Sequence, residues 1–336
     1  MLTSDQNRKI NEIVEEFKEA ADFYRMEYSE DLMGMFRDFG CMLLLKCKVD
    51  TEGKADLERL LEGRHKLKGT VKRQLMTVSE ELAQLWAPGE QDGSGDTGEY
   101  EGSQNVREMF QTALEEIFHF CLYSKGGKNR YLLPEETAKP LLRLLTFPEG
   151  MMAGNEGLVV LDTQCGAGSV LMAASRYLKN PRLMGYEKDE EMWAAAVIMS
   201  QLSGLEMELH LEDGARADLY ESCDLVISNP VYGTDTIKDE ELIDQLPGEL
   251  KTVRGRYHME LIRSMQALNF DGKAMLIVPN SFLFANRTES MKVRKWLLQS
   301  YSLEAVIGLP EDTFQYSGVR SSVMVFSKPF MSGGWE

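Results

Sequence analysis

The residues LVVLDTQCGAGSVLMAASRYL, 158–178, follow the order of a buried strand, a glycine-rich turn and an amphipathic helix. The apolar run LVVL predicts the strand, and the small apolar residues after Ser169 predict the helix. Between them, Gly166 and Gly168 permit a tight turn and let the backbone approach a ligand closely. Taken alone, such a turn is equally typical of an ordinary loop.

Strand and helix patterns continue to alternate from Gly154 onward. Seven short apolar runs predict strands, and amphipathic stretches separate most of them: LVVLDT, RLMGYE, MELHLE, DLVISN, AMLIVP, LEAVIGL and SVMVFS. This alternation predicts an α/β fold with a mainly parallel, doubly wound, seven-stranded sheet. The last two runs, 303–309 and 322–327, have no clear helix between them, so we expect a terminal antiparallel hairpin.

The first third of the chain has a helical period instead. Apolar residues recur at steps of three and four from Ser4 to about Trp86, and again from residue 105. The acidic, glycine-rich stretch 87–104 contains no Lys or Arg and predicts a loop or linker. We therefore expect a helical domain over residues 1–130 and an α/β domain over residues 131–336.

The composition excludes several classes of protein. No apolar run approaches the ~20 residues that span a bilayer, and the polar, acidic N-terminus is unlike a signal peptide. The 5 cysteines are scattered without the spacing of metal ligands, which predicts no metal site and a reducing, cytoplasmic location. The net charge of -17 argues against a free-standing DNA-binding protein and favours a partner that supplies most of the DNA contact.

A second signal supports a nucleoside pocket at the glycine turn. Glu187 ends the next predicted strand, where its carboxylate can accept hydrogen bonds from both ribose hydroxyls. The turn has two glycines rather than the three of a dinucleotide site, and the chain has no triphosphate-binding loop. S-adenosylmethionine carries no phosphate, so it needs the glycine turn and the acid that binds the ribose but no phosphate-binding loop. Asp213, after the third strand, is a candidate acceptor for the adenine amino group, or alternatively only caps the following turn.

The fourth predicted strand ends in Asn229-Pro230-Val231-Tyr232, which looks like the catalytic Asn/Asp-Pro-Pro-Tyr/Phe tetrapeptide of enzymes that methylate an amino nitrogen. In open α/β sheets, ligands bind outside the carboxyl ends of the strands. Asn229 is therefore expected to face the same crevice as the glycine turn.

The chain resembles the N6-adenine DNA methyltransferases, most closely the modification subunits of type I restriction-modification systems. The similarity covers about residues 105–330, including Asp162-x-x-Cys165-Gly166-x-Gly168, GYEKDEEMWAAAVIMSQLSG, DLVISNPVYG, GKAMLIVPNSFLF and AVIGLPEDTFQYSGVRSSVMVFSK. It implies a class I methyltransferase fold, S-adenosylmethionine as cofactor, a flipped-out adenine of DNA as substrate and a specificity subunit as partner. The residues that the resemblance assigns to the cofactor are Asp162, Cys165, Gly166, Gly168, Glu187, Asp213 and Asn229.

The sequence departs from the family pattern at three places. Val231 replaces a proline, and it lacks the fixed φ that would hold the neighbouring acceptors rigidly. Leu133 stands where the family has threonine, in a segment that closes over the methionine end of the cofactor. The sequence also lacks, after its last strand, the helices by which such subunits dock the specificity subunit.

The resemblance assigns catalysis to Asn229, Pro230 and Tyr232. The side-chain oxygen of Asn229 and the carbonyl of Pro230 would accept the two amino hydrogens, and Tyr232 would stack on the extruded base. For phosphate contacts, Lys251, Arg254 and Arg256 and the stretch RHKLKGTVKR are candidates, and both are also typical of a solvated surface. The segment 233–258 is expected to be mobile.

Phe282 and Phe284 are assigned to the core rather than to a base-stacking role. Other substrates for the same tetrapeptide are an RNA base, cytosine N4 or a glutamine amide. A cofactor-binding protein that no longer methylates and acts through its helical domain is a third possibility.

Overall fold

The computed structural model describes residues 2–29, 31–49, 55–62, 67–86, 100–124, 132–145, 156–219, 223–230, 232, 235–311, 313–314 and 319–329. The chain divides into two compact units. Unit 1 is Met1–Arg130 with Val197–Leu205, and unit 2 is Tyr131–Ala196 with Glu206–Glu336.

Unit 1 is helical in its described part, as the sequence period predicts. Its helices are α1 (Ser4–Glu27), α2 (Met33–Lys46), α3 (Ala55–Glu62), α4 (Gly69–Ala83) and α5 (Tyr100–Leu122). The first helix begins at a capping box, in which Thr3 Oγ1 accepts from the Gln6 N–H and Gln6 Oε1 accepts from the Thr3 N–H. Ile10, Ile13 and Phe17 of this helix are buried, which explains its three- and four-residue apolar spacing.

The expected loop over residues 87–104 is wrong at its end. Helix α5 begins at Tyr100, so its first five positions, 100–104, belong to the acidic stretch. Residues 87–99 lie outside the described part of the chain. A run poor in apolar residues can extend a helix whose later turns are anchored by packing, because propagation is easier than nucleation.

Unit 2 contains the predicted α/β fold. Its helices are α6 (Glu135–Leu145), α7 (Ser169–Ser175), the first part of α8 (Glu190–Ser203), α9 (Glu240–Asp244), α10 (Arg256–Gln266), α11 (Asn280–Phe284) and α12 (Thr288–Ser300). The residues of α8 from Val197 onward belong to unit 1. Its strands are β1 (Val159–Asp162), β2 (Arg182–Glu187), β3 (Met207–Leu211), β4 (Cys223–Ser228), β5 (Leu268–Pro279), β6 (Ser302–Gly308) and β7 (Ser321–Ser327). All seven predicted strands are present.

The strands form one sheet in the order β3-β2-β1-β4-β5-β7-β6. The five strands from β3 to β5 are parallel, and β7 runs antiparallel to both β5 and β6, which confirms the fold class and the terminal hairpin. Central strands such as β4 are buried almost throughout, because a parallel sheet is covered on both faces. The carboxyl ends of β1, β2, β3 and β4 consequently meet at one edge.

The segment after the tetrapeptide is folded, and the expectation that it is mobile is wrong for its described residues, 235–258. The Ile237 N–H donates to the Arg254 carbonyl at 2.7 Å, and the Arg256 N–H donates to the Asp235 carbonyl at 2.8 Å. Its apolar side chains are buried in the core of unit 2: Ile237, Leu242, Ile243, Leu246, Leu250 and Val253. These side chains anchor a segment whose many charged residues resemble a solvated loop.

Candidate active site

The turn after β1 adopts a backbone conformation that requires its glycines. Gly166 and Gly168 have φ of 56° and 76°, in the left-handed region that L side chains rarely occupy. The Cys165 N–H donates to the Tyr186 carbonyl at 2.9 Å, which attaches the turn to β2. The Gly168 N–H donates to the Cys165 carbonyl at 2.8 Å and closes the turn onto α7. The turn therefore presents bare backbone at the carboxyl edge of the sheet.

Glu187 lies against this turn. Its Oε2 accepts a hydrogen bond from the Gly166 N–H at 3.0 Å, and its Oε1 accepts one from the Asp189 N–H at 2.7 Å. Burial raises the pKa of Glu187, and the two hydrogen bonds from the main chain oppose that shift. A carboxylate can accept about four hydrogen bonds, so this side chain keeps acceptor capacity for ligand hydroxyls.

Asp162 and Cys165 are buried within the turn. Asp162 Oδ1 accepts from the Gln164 N–H at 3.0 Å, and burial raises the pKa of Asp162 to about 7. Burial also raises the pKa of the Cys165 thiol well above its usual value. A side chain at Gly185 would meet Cys165 Sγ at 2.8 Å, so the thiol fills the space against β2. Both residues shape the turn from inside.

Asp213 follows β3 and is held by its neighbours. Its Oδ1 accepts from the Ala215 N–H at 3.2 Å, so it does cap the following turn. Its Oδ2 accepts from Arg256 Nη1 at 2.8 Å, and Arg216 Nε lies 3.9 Å away. The capping alternative is confirmed, whereas its role as acceptor for an adenine amino group stays a prediction.

Gly214 is a positioning residue that the sequence analysis missed. A Cβ at this position would lie 2.2 Å from the Thr163 carbonyl oxygen, so only glycine lets the end of β3 press against the end of β1. An Asp-Gly pair directly after a strand was the available signal.

Four polar side chains connect the ends of β1 and β4, and the sequence analysis missed them all. Thr163 Oγ1 and Ser264 Oγ are 2.5 Å apart, and Ser264 Oγ donates to Ser228 Oγ at 3.2 Å. Ser228 Oγ donates to Gln164 Oε1 at 3.2 Å. These bonds place β4 and the glycine turn side by side. Gln164 Nε2 is buried and has no hydrogen-bond partner among the described atoms.

The candidate catalytic tetrapeptide follows Ser228 directly. Asn229 is partly exposed, Pro230 is buried, and Val231 lies outside the described residues. Tyr232 is partly buried, and its hydroxyl donates to Ser321 Oγ at 3.3 Å. Its ring centroid lies 5.5 Å from that of Tyr257 in an edge-to-face contact. The tetrapeptide and the glycine turn therefore share one edge of the sheet.

Three of the candidate phosphate contacts, Lys251, Arg254 and Arg256, are already engaged within the chain. Lys251 Nζ lies 3.1 Å from Asp244 Oδ1. Arg254 donates to the Lys251 carbonyl at 2.7 Å, and Arg256 pairs with Asp213. In the stretch RHKLKGTVKR, residues 64–66 lie outside the described part. Lys251, Arg254 and Arg256 therefore stabilise the folded segment 235–258 through contacts within the chain.

The two phenylalanines after β5 differ. Phe282 is 3% exposed, which confirms its place in the core. Phe284 is 79% exposed, so its assignment to the core is wrong. Leu133, the departure from the family threonine, is buried, and the adjacent Leu132 Cδ2 lies 3.7 Å from where a Cβ of Gly166 would stand. The segment 132–134 thus lies beside the glycine turn.

Within the described ranges, no group of three or more His, Cys, Asp or Glu side chains is arranged to hold a metal ion. All 5 cysteines are free and buried. Nor does any helix of the described part combine the length and apolarity that crossing a membrane requires.

Two characterised relatives are similar in sequence. The type I restriction enzyme MjaVII methylase subunit of Methanocaldococcus jannaschii is 24% identical over 298 residues, covering 81% of this chain and 47% of the relative. The type II restriction enzyme and methyltransferase RM.BcgI of Heyndrickxia coagulans is 27% identical over 191 residues, covering 51% of this chain and 28% of the relative. The chain thus spans less than half the length of either relative.

A solved structure shows the fold, and a sequence family shows the relationship. A protein of Listeria monocytogenes assigned to the class I S-adenosylmethionine-dependent methyltransferases superposes with a TM-score of 0.69 at 17% identity, covering 98% of this chain and 91% of that one. The family of N-6 DNA methylases matches residues 107–332, more than half of the sequence. This chain belongs to the N-6 DNA methylase family.

Proposed function

We propose that this protein transfers a methyl group from S-adenosylmethionine to the N6 amino group of adenine in DNA. The observation that carries the proposal is the position of Asn229, Pro230 and Tyr232 at the carboxyl end of β4, beside the turn that Glu187 holds at Gly166. Family membership supports the same reaction class.

The residues at the turn fit the cofactor. Two left-handed glycines leave backbone bare of side chains, and Glu187 lies against them with further acceptor capacity. Gln164 Nε2 supplies a buried donor without a partner among the described atoms, which suits a carboxylate of the ligand. When bound, the cofactor supplies an electrophilic methyl group on a sulfonium centre. Glu187 would accept from the ribose hydroxyls, and Asp213 from the adenine amino group.

Asn229 and Pro230 would prepare the substrate. The amino nitrogen of adenine is a weak nucleophile because its lone pair is delocalised into the ring. Hydrogen bonds from that amino group to the Asn229 side-chain oxygen and the Pro230 carbonyl favour tetrahedral geometry and stabilise the positive charge that develops on nitrogen. The Asn229 amide is neutral and takes up no proton, so the proton leaves to solvent after methylation.

Tyr232 would stack on the extruded base. Its partly buried ring is fixed by the Ser321 hydrogen bond and by Tyr257, so it offers a preformed surface. Extruding a base from a duplex costs a few kcal/mol, and stacking on an aromatic ring offsets part of that cost.

We also propose that a separate specificity subunit directs the protein to DNA. The net charge of -17 leaves little attraction for phosphates over most of the surface. The sequence is similar to a methylase subunit of a type I restriction enzyme. A cytoplasmic location remains a prediction from the sequence.

Nucleoside analysis tests the proposal directly. The protein is expressed with a candidate specificity subunit in a host without adenine methylation, and digested DNA and RNA are analysed by mass spectrometry. N6-methyladenine should appear in DNA with the parent chain and be absent with Asn229→Ala, which should still bind S-adenosylhomocysteine in calorimetry. Methylated cytosine in DNA or a methylated base in RNA, in place of N6-methyladenine, would assign another substrate. Cofactor binding without any methylated product in DNA, RNA or the host's proteins would refute an active enzyme.

A further inference from the structure

Phe284 is an exposed aromatic side chain on an anchored piece of backbone. It ends α11 and is 79% exposed. Arg294 holds the main chain on both sides of it, donating from Nη2 to the Ala285 carbonyl at 2.8 Å and from Nη1 to the Phe282 carbonyl. The guanidinium therefore fixes the backbone that carries the exposed ring.

The helix that carries Phe284 is linked to the candidate catalytic tyrosine by packed aromatic rings. Helix α11 follows β5, and β5 is the parallel neighbour of β4, which ends at the tetrapeptide. The ring of Tyr257 lies 5.5 Å from Tyr232 on one side and 5.9 Å from Phe282 on the other, centroid to centroid. One chain of packed rings therefore connects Tyr232 to the helix that presents Phe284.

The surrounding sequence reverses the charge of the chain. Between Asp271 and Glu304 the only acid is Glu289, in a protein whose net charge is -17. The same stretch contains the cations Arg287, Lys292, Arg294 and Lys295 after α11, and Lys273, which pairs with Glu304 near the start of β5. Arg287, three residues after Phe284, is exposed and has no ion-pair partner among the described residues. Burial lowers the pKa of His258, which packs on Tyr257, and the nearby Arg287 and Arg294 lower it further against the opposing effect of Glu289.

We propose that Phe284 and Arg287 form a DNA contact at the rim of the active site. The phenyl ring packs against a base that has lost its stacking partner next to the target, and the guanidinium neutralises a phosphate. Exposed aromatic rings suit unstacked bases because every base offers a flat apolar face. The inference rests on the proposed DNA substrate and adds residues outside the family tetrapeptide.

Two labelled duplexes distinguish the base contact of Phe284 from the phosphate contact of Arg287. Both have the same mixed sequence, and the second also contains one unpaired adenine. Affinities are measured by fluorescence anisotropy over a range of salt concentrations, with S-adenosylhomocysteine and the specificity subunit of the activity test present. Phe284→Ala should weaken binding of the bulged duplex roughly 5- to 150-fold, as expected for one stacked base, and should leave the fully paired duplex almost unaffected. Arg287→Ala should reduce the salt slope on both duplexes by about 0.9, the contribution of one phosphate.

Phe270→Ala is the matched control. Phe270 is a 42% exposed phenylalanine near the start of β5, at the opposite end of that strand from α11. Its removal should change neither affinity. Thermal unfolding of the Phe284→Ala protein should match the parent because little apolar surface is buried by that ring.

The inference is refuted if Phe284→Ala binds the bulged duplex as tightly as the parent, or if it loses affinity equally for both duplexes. It is also refuted if the parent protein binds neither duplex. An unchanged affinity for DNA would assign Phe284 to a protein contact instead. A protein that shows the expected losses but never methylates DNA would refute the proposed reaction and leave this contact standing. A protein that methylates adenine while Phe284→Ala binds normally would refute the contact alone.

Discussion

Glu187 at the end of β2 accepts a hydrogen bond at 3.0 Å from the backbone N–H of Gly166, so one carboxylate fixes the glycine turn from the neighbouring strand. The same side chain is placed to receive the ribose hydroxyls of the cofactor. A single residue would thus both shape the pocket and bind the ligand, which makes it the most informative position for a test of the site.

Replacing Glu187 by Ala should weaken binding of S-adenosylhomocysteine by about 1.5–3 kcal/mol, the range for hydrogen bonds to a charged group. Titration calorimetry measures the change. Glu208→Gln is the control, because Glu208 lies near the amino-terminal end of β3, away from the site, and pairs with Arg182. An unchanged cofactor affinity in Glu187→Ala would show that the pocket is assigned to the wrong residues.

Val231→Pro should match or exceed the methylation rate of the parent. Proline at position 231 would fix φ of the residue that directly follows the two acceptors, the Asn229 side-chain oxygen and the Pro230 carbonyl, without adding a contact. Single-turnover methyl transfer gives the rate, and cofactor affinity should not change. A slower variant with normal cofactor binding would show that Val231 needs a backbone conformation that proline cannot adopt.

Tyr232→Phe should keep most of the activity, because the ring that stacks on the base remains. It loses the hydrogen bond to Ser321, which predicts a loss of about 0.5–1.5 kcal/mol in the free energy of unfolding. Tyr232→Ala should instead lose most activity on paired DNA and recover part of it on mismatched or single-stranded targets. Equal activity of the two variants on every target would exclude a stacking role.

Gly214→Ala should destabilise the protein by about 1–3 kcal/mol or more, because its Cβ would lie 2.2 Å from the Thr163 carbonyl oxygen and backbone must shift. Gly248→Ala is the matched control, since a Cβ there meets nothing within 4 Å. Urea unfolding of the two variants compares their free energies. Similar midpoints would mean that the ends of β1 and β3 separate easily.

The buried carboxyl group of Glu260 should make the stability of the protein depend on pH. Glu260 is 2% exposed, its Oε2 has no hydrogen-bond partner among the described atoms, and burial raises its pKa to about 7 despite Lys188 and Arg256 nearby. The folded protein holds this proton to a higher pH than the unfolded chain does, so the free energy of unfolding falls as pH rises from about 4.5 to about 7. Glu260→Gln should flatten that decline.

Urea unfolding at several pH values in this window measures the effect, with the exposed Glu206→Gln as control. A decline of the same size in the Glu260→Gln protein and in the parent would place the responsible group elsewhere. Asp162 is the next candidate, because burial raises its pKa to about 7 as well.

The sequence by itself determined the fold class and the edge at which the site is built. Strand, glycine turn and helix over 158–178 are local patterns, and parallel strands bring their carboxyl ends together whatever the details of packing. The order of the chain therefore placed Gly166, Glu187 and Asn229 on one edge before any contact was known. These features depend on short-range periodicity, which a single sequence displays.

Tertiary structure alone decided which polar groups meet and which apolar ones stay exposed. Thr163 and Ser264 are 101 positions apart in the sequence, and Asp213 and Arg256 are 43 positions apart, so no local sequence pattern predicts either pair. Phe284 is as apolar as Phe282, yet only Phe282 is buried. Hydrophobicity determines the free energy that a side chain gains when it is buried. The direction of a short, anchored helix decides whether that side chain can contact the core.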